Sequence, residues 1–117
     1  MTRTKAGRLR HRSEFLRVYD QGSKAHGRYM TLFVLPNRLD CTRLGIAATR
    51  KMGMAVVRNR AKRRVREAFR LGVWPSGLDL VVVVRRELVT AAWNDIVQEF
   101  GSLLKRQRKT LSSRGLA

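Results

Sequence analysis

The sequence predicts a mixed α+β fold, a two-layer α/β sandwich with its elements in the order α-β-β-(β)-α-β-α. Segments with apolar residues at helical spacing alternate with short β-branched apolar segments, which predicts helices and strands in succession. The length of 117 residues is close to the commonest size of one domain, and the hydrophobic content of 44% can supply one core. These two values exclude a wholly disordered polycation.

The first half of the chain predicts one helix and two or three strands. Ser13 is a suitable N-cap for a helix over 13–21, and Gly22 falls where a helix C-cap is expected. The residues from 29 to 35 are β-branched, aromatic and apolar, which is typical of a strand. Two further strand patterns, the second weaker than the first, lie at residues 44–48 and 24–28.

The second half predicts a helix, a strand and a helix. The helix over 56–71 ends at Gly72, and the strand over 78–84 contains four consecutive valines, which is typical of a strand covered on both faces. Thr90 is a suitable N-cap for the last helix. The residues expected to face the core are Val57, Ala61, Val65, Ala68 and Phe69 in the earlier helix, and Trp93, Ile96, Val97, Phe100, Leu103 and Leu104 in the later one.

A single domain is expected, with a core over about 8–106. The N-terminal arm over 1–12 is basic and the tail over 107–117 is polar and basic. We therefore expect both ends of the chain to be flexible.

The charge of the chain is its least ordinary property. The 26 Lys and Arg residues against 8 Asp and Glu give a net charge of +18. The surplus lies in three segments, with +5 in residues 1–13, +8 in residues 50–70 and +5 in residues 105–117, while the other segments cancel. A nearly neutral scaffold with three cationic segments favours a polyanionic partner, because binding would relieve the self-repulsion.

Several other classes of protein are excluded by what the sequence lacks. Cys41 is the lone cysteine, so there is no intramolecular disulfide, which favours a reducing compartment such as the cytoplasm. The longest apolar run, residues 80–84, is far too short to span a membrane. His11 and His26 stand apart and the carboxylates are scattered, so the sequence predicts no metal site and no catalytic residue on the protein.

The helix over 56–71 carries the strongest functional signal. Outside its apolar stripe almost every residue is basic, so about two-thirds of its circumference would be a cationic surface. Six or more phosphate contacts made together give tight, salt-sensitive binding of nucleic acid. The alternative is a solvated face that only keeps the protein soluble, and solubility does not need eight net charges in one segment.

The run from Arg50 to Arg70 resembles the signature of the bacterial ribonuclease P protein component family. It reads RKMGMAVVRNRAKRRVREAFR, with Arg-Asn-Arg at 58–60 followed by Lys-Arg at 62–63. The early aromatic helix, the first strands, the valine strand and the closing Leu-rich helix follow in the family's order, over about 8–106. Met54 is a departure from the family pattern, which usually has Asn at this position.

The resemblance implies a fold, partners and a site. Members have the ribosomal protein S5 domain 2-like fold with a left-handed βαβ crossover. They are subunits of an endoribonuclease holoenzyme whose catalytic RNA, holding most of the Mg²⁺, removes the 5′ leader of precursor tRNA. The implied partners are therefore ribonuclease P RNA and precursor tRNA, with no membrane and no obligate protein partner. The residues expected to bind the catalytic RNA are Arg50, Lys51, Arg58, Asn59, Arg60, Lys62, Arg63 and Arg66, and those expected to bind the leader are Phe15, Tyr19 and Phe33.

The three aromatic residues have two interpretations. Phe15 and Tyr19 are one helical turn apart on one face, which on pattern alone is more typical of core residues. A half-buried ring in a cleft would satisfy both interpretations, because stacking of a base on such a ring contributes about 1–3 kcal/mol whatever the base. The same alternatives apply to Phe33.

Two other functions fit the composition equally well. One is a ribosomal protein or ribosome-assembly factor that binds structured RNA, and the other is a protein that coats DNA without sequence specificity. The run at 50–70 together with the early aromatic residues favours the ribonuclease P family over both.

Overall fold

The computed structural model describes the backbone of residues 5–72 and 74–113 and the side chains of residues 7–72 and 74–107. It confirms the mixed α+β fold. The strands are β1 (Lys5–Arg8), β2 (Ser23–His26), β3 (Met30–Pro36), β4 (Cys41–Ala47) and β5 (Leu78–Val84), and the helices are α1 (Arg12–Gln21), α2 (Ala55–Leu71) and α3 (Trp93–Ser113). Short 3₁₀ turns at Arg50–Met52 and Arg86–Thr90 precede α2 and α3. The weak strand pattern near 24–28 corresponds to β2, whereas β1 was not predicted.

The five strands form one mixed sheet in the order β1-β4-β5-β3-β2. Strand β3 is antiparallel to β2 and β5, and β4 is parallel to β5 and β1. The parallel strands β4 and β5 are joined through α2, so the crossover carries the most basic helix of the chain. The valine-rich β5 lies at the centre of the sheet, as its apolar sequence predicts.

Both faces of the sheet are covered. Helices α2 and α3 pack on one face, where Leu32, Leu80 and Val82 belong to the larger core. Helix α1 packs on the opposite face, where Val18 and Val81 are fully buried. Helices α2 and α3 therefore form the main helical layer, and α1 covers part of the opposite face of the sheet.

The predicted N-cap of α1 is wrong by two residues. The helix begins at Arg12 with His11 as N-cap and Gly22 as C-cap, so Ser13 lies inside the first turn. The reason is the Glu14 carboxylate, which accepts hydrogen bonds from the backbone N–H groups of Arg10 and His11 at 2.9 Å each. An acid at the third helical position bonds back to the N–H groups of the N-cap and of the residue before it, so the helix starts ahead of Ser13.

The predicted start of α3 is also wrong. Thr90 ends a 3₁₀ turn, and α3 begins at Trp93. Val97, predicted to face the core, is 42% exposed, because the buried stripe passes through Ile96, Phe100 and Leu103 instead. Trp93 is only partly buried.

The regular structure extends further than the predicted core. Gln107, expected in a frayed tail, is 2% exposed and donates a hydrogen bond to the Leu32 carbonyl at 3.0 Å. It continues the spacing of the buried stripe of α3, so it faces the sheet. At the other end, part of the predicted arm forms β1. The predictions for residues 1–4 and 114–117 lie outside the described residues.

Candidate nucleic-acid interface

Helix α2 is fixed by its apolar stripe, which turns the basic residues outward. Ala61, Val65, Ala68 and Phe69 are buried against the sheet and α3, as predicted, and Val57 is partly buried. The residues between them in sequence lie on the remaining circumference of the helix. The result is an outward face in which arginine predominates, with Val56 exposed near its start and Leu71 at its end.

The eight residues predicted to bind the catalytic RNA lie on this face and on the 3₁₀ turn before it. Six are exposed, and the other two, Arg58 and Lys62, are partly buried. Within the described part of the chain, none of the eight side chains makes an ion pair or a hydrogen bond. Their donors are therefore available to an external anion, and the buried Nε of Arg58 has no acceptor of its own.

Two other arginines of α2 are already engaged within the protein. Arg64 donates to the carbonyl oxygens of Leu88, Val89 and Ala91 at 2.8, 3.1 and 2.7 Å. Arg70 pairs with Glu67, and this hydrogen bond lowers the pKa of the Glu67 carboxyl. The basic helix thus divides into arginines that bind the protein and arginines that face outward.

The 3₁₀ turn before α2 is anchored in the core, and the start of α2 has no side-chain cap. Met52 is buried, which anchors the turn and leaves Arg50 and Lys51 exposed. Gly53 has a φ of 122°, a conformation that favours glycine. Met54 is the N-cap of α2, makes no side-chain capping bond and is 75% exposed. An Asn at this position would be able to cap the helix, so the departure from the family pattern removes a capping group.

Two of the three predicted leader-binding residues contact each other. The rings of Tyr19 on α1 and Phe33 on β3 meet edge to face, with centroids 4.9 Å apart. Tyr19 is 36% exposed and Phe33 is partly buried, and the Lys24 ammonium lies 5.6 Å from the centre of the Phe33 ring. Burial raises the pKa of the Tyr19 hydroxyl. Phe33 packs against the smaller core, whereas Tyr19 lies at its exposed edge, so the pair is open to a ligand.

Phe15, the third predicted leader-binding residue, lies apart from this pair. Its ring packs against the backbone of Gly45 on β4, where a Cβ atom would come within 2.7 Å of the ring. Phe15 is partly buried and makes no ring–ring contact with the other described aromatic side chains. The structure therefore brings Tyr19 and Phe33 together and places Phe15 one helical turn away, over β4.

A buried ion-pair network was not predicted from the sequence. Arg43 on β4 donates two hydrogen bonds, at 2.8 and 2.7 Å, to Asp79 on β5, and a third, at 2.9 Å, to Glu14 on α1. The hydrogen bonds to Asp79 raise the pKa of Arg43, and the backbone N–H groups of His11 and Arg10, together with Arg43, lower the pKa of Glu14. Asp79 is 1% exposed, and an acid inside an apolar strand is a sequence signal for a buried partner.

The described residues also bear on metal binding and on membrane insertion. No group of three or more His, Cys, Asp or Glu side chains within that part of the chain is placed to hold a metal ion. No helix there has the length and apolar composition that crossing a membrane requires.

Comparisons with known proteins agree with one another. The family model described as Ribonuclease P matches residues 4–108. The ribonuclease P protein component of Syntrophus aciditrophicus is 33% identical over 114 residues, covering 96% of each chain. That of Thermotoga petrophila is 44% identical over 87 residues, covering 73% of this chain and 74% of the other.

Solved structures show the same relationship at the level of the fold. The RNase P protein from Thermotoga maritima superposes with a TM-score of 0.76 and 38% identity, covering 85% of this chain and 96% of that one. The Staphylococcus aureus RNase P protein has a TM-score of 0.74 and 30% identity, covering 86% and 94%. With its outward basic helix and its half-buried aromatic pair, the chain belongs to the ribonuclease P protein component family.

Proposed function

We propose that this chain is the protein subunit of a ribonuclease P. It binds the catalytic RNA through α2 and the preceding turn, and it binds the 5′ leader of precursor tRNA through the aromatic residues of α1 and β3. Its role is to assist the endonucleolytic removal of the leader that gives the mature 5′ end of tRNA. Its place of action would be the cytoplasm.

One observation carries the proposal beyond family membership. The eight side chains expected at the catalytic RNA are not neutralised by carboxylates within the described structure, although three of the acids in that structure pair with other arginines. If the cationic face served only solubility, ion pairs within the protein would add to the stability of the fold while the face stayed exposed. Because the face is unpaired, its cations can neutralise phosphates and release the counterions condensed on the RNA.

In the proposed enzyme, the RNA carries out the hydrolysis. The described side chains offer no cluster of ligands that fits a protein-held Mg²⁺, so the metal would be held mainly by the RNA. The protein residues would contribute phosphate contacts from arginine and lysine and a sequence-tolerant stacking surface for the leader. A subunit that serves many precursor tRNAs needs this tolerance, because leaders differ in sequence.

The alternative of a ribosomal protein or assembly factor is not favoured. Both the family model and the solved structures point to ribonuclease P.

Reconstitution tests the proposal directly. The purified chain is added to a bacterial ribonuclease P RNA at low Mg²⁺, and cleavage of a precursor tRNA at the mature 5′ end is measured. Replacing Arg58, Arg60 and Lys62 with Ala should weaken assembly with the RNA, because up to three phosphate contacts are lost. The plot of log affinity against log salt should flatten by up to about one unit per lost contact.

A matched control separates this effect from net charge. Replacing Arg12, Arg17 and Lys105 with Ala removes the same number of positive charges, all of them exposed, from α1 and α3. This control should retain most of the RNA affinity. Equal affinities and equal salt slopes for the two triple variants would remove α2 from the interface, and no stimulation of cleavage by the unaltered chain would contradict the proposed function itself.

A further inference from the structure

Helix α1 carries two of the predicted leader-binding residues, but little apolar surface holds it on the sheet. Among its side chains, all of which the structure describes, only Val18 is fully buried, in one cluster with Val81 of β5. At its C-terminal end the helix passes through Gly22 directly into β2. Because this end is fixed by one apolar contact and by the chain itself, the direction of the helix axis depends on what holds the N-terminal end.

The N-terminal end of α1 is held by a chain of hydrogen bonds that crosses the sheet. Asp79 is buried on β5, and its carboxylate accepts two hydrogen bonds from Arg43 and one, at 2.8 Å, from the side-chain amide of Asn37. Arg43 lies directly opposite Asp79 in the register of β4 and β5, and its Nη1 donates to Glu14 of α1 at 2.9 Å. The sheet therefore fixes the guanidinium through two of its nitrogens, and the third binds α1.

The bond between Arg43 and Glu14 gives α1 a second point of contact with the sheet. Glu14 and Val18 are four residues apart, so they lie on the same face of the helix, one turn from each other. Two contacts along one face fix the direction of the helix axis, and Tyr19 directly follows the second of them. The edge-to-face contact of Tyr19 with Phe33, with ring centres 4.9 Å apart, therefore depends on the bond to Arg43.

We propose that Arg43 is a positioning residue for recognition of the leader. It acts through Glu14, by holding α1 at the angle at which the Tyr19 and Phe33 rings form one surface, and not by contact with RNA. The inference rests on the proposed function, because the leader is what the two rings would bind. Arginine suits this role because its planar fork binds Asp79 through two nitrogens and Glu14 through the third, which the single ammonium of lysine cannot do.

Two substitutions break the bond from opposite ends and keep a positive charge beside the buried Asp79. Glu14→Gln removes the carboxylate that Arg43 binds, and Arg43→Lys keeps the charge but loses the fork. Each variant is assembled with ribonuclease P RNA, and its affinities for leader-bearing precursor and for mature tRNA are measured. The preference for the precursor, which is the ratio of the two affinities, should fall by about threefold or more in each variant, because part of the stacking on the rings is lost. Assembly with the RNA should be unchanged.

Charge alone predicts the opposite result for Glu14→Gln. The substitution removes a negative charge from the protein, so electrostatics would strengthen the binding of a leader that passes nearby. Asp20→Asn is the matched control, because it removes an exposed carboxylate of the same helix that has no ion-pair partner among the described residues. The control should leave the preference for the precursor unchanged. An unchanged or increased preference in Glu14→Gln, or an equal fall in Asp20→Asn, overturns the proposal.

A double-mutant cycle tests whether Arg43 acts through the Tyr19 ring. If it does, Arg43→Lys lowers the preference for the precursor in the wild-type background and has no further effect once Tyr19 is replaced with Ala. A direct contact of Arg43 with the leader would instead give losses that add. Additive losses in the double variant therefore overturn the positioning role.

The free chain separates a failure of this inference from a failure of the proposed function. The ring-current shifts of the Tyr19 aromatic protons report the contact with Phe33 by NMR, without any RNA. Both Glu14→Gln and Arg43→Lys should move these shifts towards the values of an exposed tyrosine. Shifts that stay at their wild-type values overturn the inference whatever the holoenzyme does. Shifts that move, in a chain whose wild-type holoenzyme does not prefer the precursor, would contradict the proposed function and support the link from Arg43 to the rings.

Discussion

Neighbouring arginines on α2 have different roles although the sequence presents them as one basic run. The Arg64 guanidinium donates to three carbonyl oxygens at the end of the second 3₁₀ turn and just after it, so it holds the connection between β5 and α3 against α2. Arg63, the preceding residue, is exposed and makes no such bond within the described structure. One position in the chain separates a residue that stabilises the fold from one that is free to bind RNA.

This difference gives a paired prediction for the two arginines. Arg64→Ala should lower the free energy of unfolding by about 1.5–3 kcal/mol, because charge-assisted hydrogen bonds are lost. Arg63→Ala should change it by less than about 0.5 kcal/mol and weaken RNA binding instead. Chemical denaturation and RNA titration of both variants check the prediction, which is contradicted if Arg63→Ala is the less stable of the two.

Tyr19 permits a second test at the residue scale. Tyr19→Ala should reduce the discrimination of the holoenzyme between leader-bearing precursor and mature tRNA, because the ring is 36% exposed beside Phe33. Its assembly with the catalytic RNA should be spared. Leu16→Ala is the matched control, since Leu16 is 50% exposed on the same helix. Reduced stability with unchanged discrimination would show that the Tyr19–Phe33 pair belongs only to the core.

At the scale of elements, α1 is held on the sheet by charge as well as by packing. The Arg43 side chain reaches from β4 to Asp79 on β5 and to Glu14 on α1, while Val18 provides the fully buried apolar contact. Removing one partner of a buried ion pair is far more costly than the pair's net contribution, because the remaining charge stays buried. The angle of α1, and with it the position of Phe15 and Tyr19, depends on this network.

The stability that Glu14 contributes should depend on pH. Its pKa is lowered in the folded state, so its ionised form stabilises the fold above the ordinary carboxyl pKa, and this contribution is lost as the pH falls through the lowered value. We expect the wild type to exceed Glu14→Gln by about 1 kcal/mol in free energy of unfolding at neutral pH, because a partly exposed ion pair and a helix cap are weakened. Denaturation from pH 7 down to pH 3 should show the two proteins converging.

The control for this experiment is Asp20→Asn on the same helix. Asp20 is exposed and has no ion-pair partner among the described residues, so its replacement should alter stability by less than about 0.5 kcal/mol. A constant difference between the wild type and Glu14→Gln across the pH range would contradict the assignment of that difference to the Glu14 charge.

The elements that the sequence predicted well are those whose pattern is set by burial. Helix α2 and strand β5 were located within one residue because a long apolar stripe and a valine run leave few alternatives. Strand β1 was missed because four residues with no alternating pattern pair with β4 only through tertiary structure. The true starts of α1 and α3 were missed because Glu14 stabilises a helix start ahead of Ser13, and because Thr90 is the last residue of a 3₁₀ turn.

The sequence predicted which residue types form the candidate site, but not which individual side chains bind within the protein and which face outward. Charge and spacing predicted the cationic surface of the helix, whereas the eight residues expected to bind the catalytic RNA came from the family resemblance. Carbonyl groups in the connection between β5 and α3 determine which arginines bind within the protein. The register of α1 over β3 and β4 determines which aromatic rings contact each other. Contacts between segments distant in sequence leave no local pattern.

At the scale of the whole molecule, a net charge of +18 sets two opposing responses to salt. Chloride should raise the melting temperature of the free chain, because screening weakens self-repulsion. The same change should weaken RNA binding, by about 10³–10⁵ between 50 and 200 mM salt if 6–10 phosphates are contacted. Thermal unfolding and RNA titration in one potassium chloride series check both signs, and a free chain destabilised by chloride would contradict this account.

The internal use of the carboxylates also affects how the protein meets its partner. Glu99 accepts hydrogen bonds from the backbone N–H groups of Arg28, Tyr29 and Met30, while Glu14 and Asp79 are bound to Arg43. Because these acids are bound in the scaffold, they do not pair with the outward arginines of α2, and the field in front of that helix stays positive and orients an approaching polyanion before any contact forms. Electrostatic steering of this kind brings association rate constants towards about 10⁸–10⁹ M⁻¹s⁻¹ at low ionic strength. The carboxylates that fix the scaffold thereby also determine how quickly RNA finds it.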